Sequence, residues 1–229
     1  MSKCEQCIIR QLNSLGELTK DELIRISACK SSEVVKKGAV LFDEGDHING
    51  VFCIKDGVCK VTKMSSNGRE QIVKLVKKGD LLGERSLISE ETANLKATAI
   101  NDMEVCFIPK EEIVRDLKSN TNFTMSILKE MAVSLKEADN VIVDMAQKTV
   151  KQRLAETLLH LKKTYGTDDI NTPLDILLSR EDIANIIGTA TESAIRLLSG
   201  FKKEGLIQLK GKEIYILESK KLQRIAEGF

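Results

Sequence analysis

The spacing of hydrophobic positions changes twice along the chain. Between residues 38 and 108 it alternates in short runs: Ala39-Val40-Leu41-Phe42, Gly50-Val51-Phe52-Cys53-Ile54, Val58-Cys59-Lys60-Val61, Gln71-Ile72-Val73-Lys74-Leu75-Val76, and one further run from Ala97 to Ile108. Glycines at 38, 45, 57, 68, 79 and 83 separate these runs. Strands of that length with regular turns predict a compact antiparallel roll or barrel. Before the roll, Thr19 to Ile26 reads as a short capped helix. After it, the stretch from about Asn122 to Gln147 holds neither Pro nor Gly, and Ile127, Met131, Ser134, Ala138, Val141 and Met145 recur at steps of four and three. That is the heptad seam of a coiled coil, which needs a partner helix; packing of the stripe against its own roll is the alternative.

Over residues 179–217 the pattern becomes two short helices around a glycine, then a small β-hairpin. Ser179 with Asp182, and Thr189 with Glu192, have the spacing by which a side chain caps a helix start. In the second helix Ala194, Leu197, Leu198 and Phe201 share one face, leaving Thr191, Glu192, Ile195, Arg196 and Ser199 on the other. Glu accepts from cytosine N4 and Arg bonds guanine O6 and N7, so the outward face suits the DNA major groove. Arg180 and Thr189, at the two helix starts, are further candidate contacts. Leu206 to Leu209 and Glu213 to Ile216 flank the turn Lys210-Gly211-Lys212, whose lysines are candidates for backbone phosphates. From Arg196 to Lys212 five basic residues stand against one acidic, Glu204. An ordinary helical hairpin with a solvated face is the competing reading, and the β-hairpin with its basic turn weighs against it.

A chain of 229 residues suits two domains better than one small one. The divisions expected are a sensor roll with its cysteine-bearing leader at 1–115, a dimerisation helix at 116–148, and a winged helix-turn-helix at 149–229. With a net charge of only +1, affinity for DNA must come from a local patch and from dimerisation. The chain has no run of about 18 apolar residues, and MSKCEQCIIRQL lacks a signal-peptide core, so a cytoplasmic protein with no membrane partner is expected. Six cysteines are then reduced thiols or metal ligands rather than disulfides. A Gly-rich phosphate loop, a nucleophile elbow and a metal-ligating His pair are all missing, so the chain is not expected to be an enzyme. His47 and His160 read as structural or solvated.

Roll, long helix and winged helix-turn-helix in this order resemble the CRP/FNR superfamily of bacterial transcription regulators. The resemblance spans essentially the whole chain. It is carried by Lys37-Gly38 through Leu41-Phe42, Gly45-Asp46, Gly57, Gly79-Asp80-Leu81 and Gly83-Glu84 in the roll. In the last third it rests on Gly188, Glu192, Arg196-Leu197-Leu198, and Lys210-Gly211-Lys212 with Ile214. It implies an α+β fold with an N-terminal cyclic-nucleotide-binding-like β-roll, a long dimerisation helix and a C-terminal winged helix-turn-helix. It also implies a homodimer on a palindromic operator in double-stranded DNA, with RNA polymerase as a further partner. Glu192 and Arg196 match the family's base-reading pair. Where the FNR branch usually has Ser and the CRP branch Gly, this chain has Ile195, an apolar side chain suited to a thymine methyl.

The signal is read from what the roll carries and lacks. Members that bind cyclic AMP have a Gly-Glu followed about ten residues later by Arg-Ser or Arg-Thr before Ala. Here Gly83-Glu84 is present but Glu91-Thr92 precedes Ala93, and Arg85-Ser86 lies too near Glu84 to serve. A buried cyclic phosphate without its guanidinium is an uncompensated anion, so cyclic AMP is not expected. Cys4-Glu5-Gln6-Cys7 resembles the cysteine loop of the FNR branch, and Val105-Cys106-Phe107-Ile108-Pro109 the segment that carries its remote ligand, which implies an iron–sulfur (4Fe-4S) cluster. The third N-terminal cysteine of that pattern falls at Asn13. Cys29, at the end of the first helix, is the candidate to complete a set of Cys4, Cys7, Cys29 and Cys106. A redox switch, a zinc site on Cys4, Cys7 and Cys106, or inert thiols are the alternatives. Cys53 and Cys59 fall within strands and read as core residues. The expected function is a sequence-specific regulator answering a redox, oxygen or small-ligand signal; a cyclic-nucleotide or ligand-binding signalling module without cluster chemistry is the runner-up.

Overall fold

Thr19 accepts a hydrogen bond from the Glu22 amide while the Glu22 carboxylate accepts one from the Thr19 amide, and this capping box starts helix α1 (Lys20–Cys29). The computed structural model describes residues 3–229. Ahead of α1 stand three short 3-10 segments, Cys4–Gln6, Ile8–Leu12 and Ser14–Glu17; Cys4 opens the first, and Cys7 is the extended residue between the first and the second.

The alternating runs form the strands β1 (Ser31–Val35), β2 (Val40–Phe42), β3 (Gly50–Asp56), β4 (Val58–Met64), β5 (Glu70–Lys77), β6 (Leu81–Leu82), β7 (Lys96–Ala99) and β8 (Met103–Pro109), with helix α2 (Glu84–Ser89) before β7. They assemble into two antiparallel four-stranded sheets, β1-β8-β3-β6 and β2-β7-β4-β5. Two features differ from the sequence expectation. The run from Ala97 to Ile108 is two strands, because the Asn101 carboxamide accepts from the Val58 amide at 2.7 Å and the chain turns there. Strand β1 has no alternation to reveal it: it lies at a sheet edge, and four of its five residues are exposed.

Period-two alternation sorts β3 and β8 between two cores. Ile54, Met103 and Val105 join Cys59, Val61, Val76, Ala97 and Ala99 in the core shared by the two sheets. Val51, Cys53, Cys106 and Ile108 face the other way, into a core completed by Cys4, Leu15, Leu23 and Ile26 and by the following helices α3 (Lys110–Ser119) and α4 (Thr121–Gln147). The two strands are pressed together at Gly50, where a Cβ would lie 2.3 Å from the Ile108 carbonyl oxygen.

Helix α4 spans the predicted stretch, but its stripe is used differently from the expected seam. Phe123 and Ile127 are buried in the roll's own core and Met131 packs against it. Leu128, Leu135 and Ile142, seven apart, are instead 52%, 64% and 66% exposed. The exposed apolar positions therefore include Leu128, Leu135 and Ile142, one residue on from the expected Ile127, Ser134 and Val141, although Val141 is itself 46% exposed. Two compact units divide within this helix, the first ending at Leu135 and the second covering Lys136–Phe229.

The second unit contains α5 (Val150–Tyr165), α6 (Arg180–Ile187), α7 (Thr191–Lys203), the hairpin β9 (Ile207–Lys210) and β10 (Glu213–Ile216), and α8 (Ser219–Glu227). Leu154, Leu158, Leu161, Ile183, Ile187, Leu198 and Phe201 are fully buried in it. Gly188, at φ +64°, adopts the left-handed conformation that reverses the chain between α6 and α7. Ser179 caps α6 through a full capping box with Asp182. Ser179→Ala is expected to lower the stability of this unit by about 1 kcal/mol, read as a shift in urea midpoint at unchanged slope. The second expected cap is absent: α7 starts at Thr191 with Ala190 as its N-cap, and no side chain caps it. No helix among the described residues is long and apolar enough to cross a membrane.

Candidate functional site

Ala194, Leu198 and Phe201 lock the inner face of α7, so its outer face is held in a fixed orientation. Glu192, Ile195, Arg196 and Ser199 are exposed on it or half-buried, and Thr191 is half-buried. Among the described residues Glu192 and Arg196 have no ion-pair or hydrogen-bond partner, so the acceptors of one and the donors of the other are free for a base edge. Thr189 is half-buried between the helices, its amide bonded to the Ala184 carbonyl.

Arg180 is committed elsewhere: its Nη2 donates to the Gly211 carbonyl at 2.8 Å and so ties the start of α6 to the hairpin turn. Its Nη1 is buried without a partner, and burial lowers its pKa. Lys210 lies over the Tyr215 ring, its Nζ 4.9 Å from the centroid, while Lys212 is exposed at the tip.

The thiols converge in the first unit. Cys4, Cys7, Cys53 and Cys106 all line one cavity of about 20 Å³, together with Arg10, Lys30 and Lys55 and an apolar wall that includes Leu15, Ile26 and Ile108. Cys53 and Cys106 sit directly opposite each other on β3 and β8. Lys30 is a buried cation among them: its Nζ donates to the Cys106 sulfur at 3.7 Å. Burial opposes the Lys30 charge, but the sulfurs of Cys4 and Cys106 outweigh it and hold the pKa above its usual value. Burial pushes the Cys53 thiol up to about 12, and burial does the same to Cys59, which lies in the other core.

Cys29 is not part of this group. It is exposed on the last turn of α1, and its thiol donates back to the carbonyls of Arg25 and Ile26. Sequence reasoning thus names Cys29 and passes over Cys53; the alternation that turns Cys53 and Cys106 to one face is readable, but the register that makes them neighbours is not. Among the described residues no three His, Cys, Asp or Glu side chains stand close enough to hold one metal ion.

Hydrogen bonds tie the cysteine segment to α1, the sheet and α4. The Cys4 amide donates to Ser27 of α1 at 2.6 Å, the Asn13 carboxamide donates to the Gly79 carbonyl at 2.8 Å, and the buried Ser14 hydroxyl donates to Glu130 of α4 at 2.5 Å. Elsewhere in the roll, Glu84 keeps one buried oxygen without a partner, and burial raises its pKa. Arg85, Glu91 and Thr92 are exposed.

Residues 32–120 match the family described as cyclic nucleotide-binding domain, and residues 152–225 match the Crp-like helix-turn-helix domain. The chain is 30% identical over 216 residues to the anaerobic regulatory protein of Haemophilus influenzae, covering 93% of this chain and 83% of that protein. It is 27% identical to the transcriptional activator protein Anr of Pseudomonas aeruginosa, over 98% of this chain and 93% of that one. Among solved structures, a Crp/Fnr-family regulator from Eubacterium rectale superposes with a TM-score of 0.76 at 24% identity, over 93% of this chain and 97% of the other, a likeness of fold alone. Matched in both halves and along nearly its whole length, the chain belongs to the CRP/FNR superfamily of transcription regulators.

Proposed function

We propose that this regulator is a homodimer that binds a two-fold-symmetric DNA site through α7 and the β9–β10 turn, and that the thiol cavity, loaded with an iron–sulfur cluster, sets its affinity for that site. The observation that carries the reading is the sharing of one core: Cys4, Cys53 and Cys106 are packed together with Phe123 and Ile127, the first turns of α4. When bound, such a cluster supplies an oxygen-labile link among thiolates.

The chain's own contribution is mechanical. Cys4 and Cys7 ride on the segment whose Ser14 holds Glu130, while Cys106 is fixed in a central strand. Drawing the segment toward the sheet therefore pulls on α4, and Lys30 offsets the negative charge that gathered thiolates bring. In the present side-chain arrangement the cavity is room for about one water, so loading requires the thiols and Lys30 to turn aside. The helix is biased only by the difference in affinity between its two arrangements.

The exposed positions Leu128, Leu135 and Ile142 support a paired α4, which would set two copies of α7 about one DNA turn apart. Arg196 and Glu192 are assigned to bases, and Lys210, Lys212 and Thr189 to phosphates. Arg180 is assigned to holding the hairpin turn. RNA polymerase is the expected partner once the dimer is on DNA.

The test is selection from random duplexes by full-length protein purified without oxygen, followed by exposure of the complex to air. Enrichment of a palindrome, iron and sulfide in the protein, and loss of both the visible absorption and the operator affinity in air are expected. An iron-free dimer whose operator affinity ignores air would remove the cluster and keep the DNA assignment.

A further inference from the structure

We propose that Cys53 is the fourth thiolate of the cavity, standing in space where the family pattern has an N-terminal cysteine and this chain has Asn13. The inference rests on the cluster reading of the cavity and adds which residue completes it.

Three observations converge on Cys53. First, strand pairing puts Cys53 directly across from Cys106, and side chains at directly opposed positions project to the same face of a sheet. Both residues are buried in the core that Cys4 also enters, whereas their strand neighbours Ile54 and Val105 turn into the other core. One thiolate on β8 is thereby matched by one on β3, at a position fixed by two hydrogen-bonded strands rather than by a loop.

Second, Asn13 itself touches the sulfur in question. Its Nδ2 donates to the Cys53 sulfur at 3.5 Å and to the Gly79 carbonyl at 2.8 Å, while its Oδ1 accepts from the Leu15 amide. The residue that stands in place of the thiol is thus held against the thiol that replaces it. As a donor to sulfur it would also tune a group bound there.

Third, the other two cysteines are excluded by position. Cys29 is exposed, bonded to its own helix, and does not line the cavity. Cys59, opposite Ala99 and Val76, is buried in the core between the sheets. The donor set is then two thiolates from the leader, Cys4 and Cys7, and two from the sheet, Cys53 and Cys106. Such a set bridges leader and sheet evenly, where the three-plus-one arrangement of the family pattern puts most of its ligands on the leader.

The experiment is anaerobic reconstitution of the full chain with ferrous iron and sulfide, read by iron and sulfide content, visible absorption and electron paramagnetic resonance after reduction, with circular dichroism to check folding. Cys4→Ser serves as the control for the cavity as a whole. Cys53→Ser is expected to retain no more than about a tenth of the wild-type iron, and Cys29→Ser all of it. Because Cys53 is buried, Cys53→Ala is the companion variant that keeps an apolar core position, and it is expected to lose iron equally. Adding Asn13→Cys to Cys53→Ala returns a thiolate to the leader and is expected to restore iron and the absorption band.

A folded Cys53→Ala that keeps wild-type iron, sulfide and spectra overturns the assignment of Cys53 while the cluster reading stands. Wild-type protein that takes up no iron at all overturns both.

Discussion

Arg196→Ala is expected to weaken binding to the selected palindrome by about 30-fold to 20,000-fold. A bidentate arginine–guanine contact is worth roughly 1–3 kcal/mol of discrimination, a two-fold dimer makes it twice, and 1.4 kcal/mol is a factor of ten. The side chain is exposed, has no internal partner among the described residues, and stands on a helix whose inner face is locked by Ala194, Leu198 and Phe201. Its removal therefore costs the fold little, and thermal stability should stay within about 0.5 kcal/mol of wild type. Binding to random duplex, which depends on phosphates, should persist and keep nearly all of its salt dependence. Lys212→Ala, at the exposed tip of the hairpin, gives the opposite pattern: a smaller loss shared by all sequences. Titration of both variants against the palindrome and a scrambled duplex at two salt concentrations separates base reading from phosphate contact. Unchanged affinity of Arg196→Ala for the palindrome would mean that another face of the unit enters the groove.

The same helix shows why some of this molecule is visible in its sequence and some is not. The buried triad of α7, the capping box at Ser179 and the glycine at 188 are local: periodicity, a three-residue spacing and a left-handed turn need no knowledge of the rest of the chain. The strands β3, β4 and β5 are likewise written in their own alternation. What the sequence hides is decided by distant residues. Ile127 has the right spacing for a dimer seam, but Phe123 and the roll's core claim it, which rotates the outward row by one residue onto Leu128, Leu135 and Ile142. Arg180 has the right place at a helix start for a phosphate, but the Gly211 carbonyl, 31 residues on, takes it. Cys29 is the cysteine nearer in sequence to the leader, while Cys53, 40 residues from Asn13, is brought in by the pairing of β3 with β8. Candidate sites made of one segment are readable; the site made by strand register is not.

Arg153→Met is expected to destabilise the second unit by about 2–4 kcal/mol and to weaken the response of DNA binding to the state of the cavity, since each charge-assisted hydrogen bond contributes about 1.5–3 kcal/mol and a half-buried position brings the sum of three down to that range. Arg153, on the first turn of α5, gives its guanidinium to three carbonyls: Nε to Ile187 at 2.9 Å, and Nη1 to Lys148 at 2.7 Å and Met145 at 3.3 Å. Ile187 ends α6, immediately before the Gly188 turn into the DNA-reading helix, and Met145 lies in the last turn of α4. Carbonyls at helix C-termini lack intrahelical donors and carry the negative end of the helix dipole, so one cation serves both ends at once. Lys148 adds ion pairs to Asp144 and Glu156 across the same break between α4 and α5, but these are partly exposed and contribute less. Methionine preserves most of the length and the apolar stem of the side chain and removes the donors. The expectation is that a bias delivered to α4 reaches the Gly188 turn through this guanidinium, and that in Arg153→Met the two helix ends are no longer held by it. The measurement is a urea titration together with the ratio of operator affinities before and after air. A lower midpoint with a ratio drawn toward one is the expected pair of results. A lower midpoint with an unchanged ratio would confine Arg153 to stability and move the coupling to the α5–α7 packing beside Phe201.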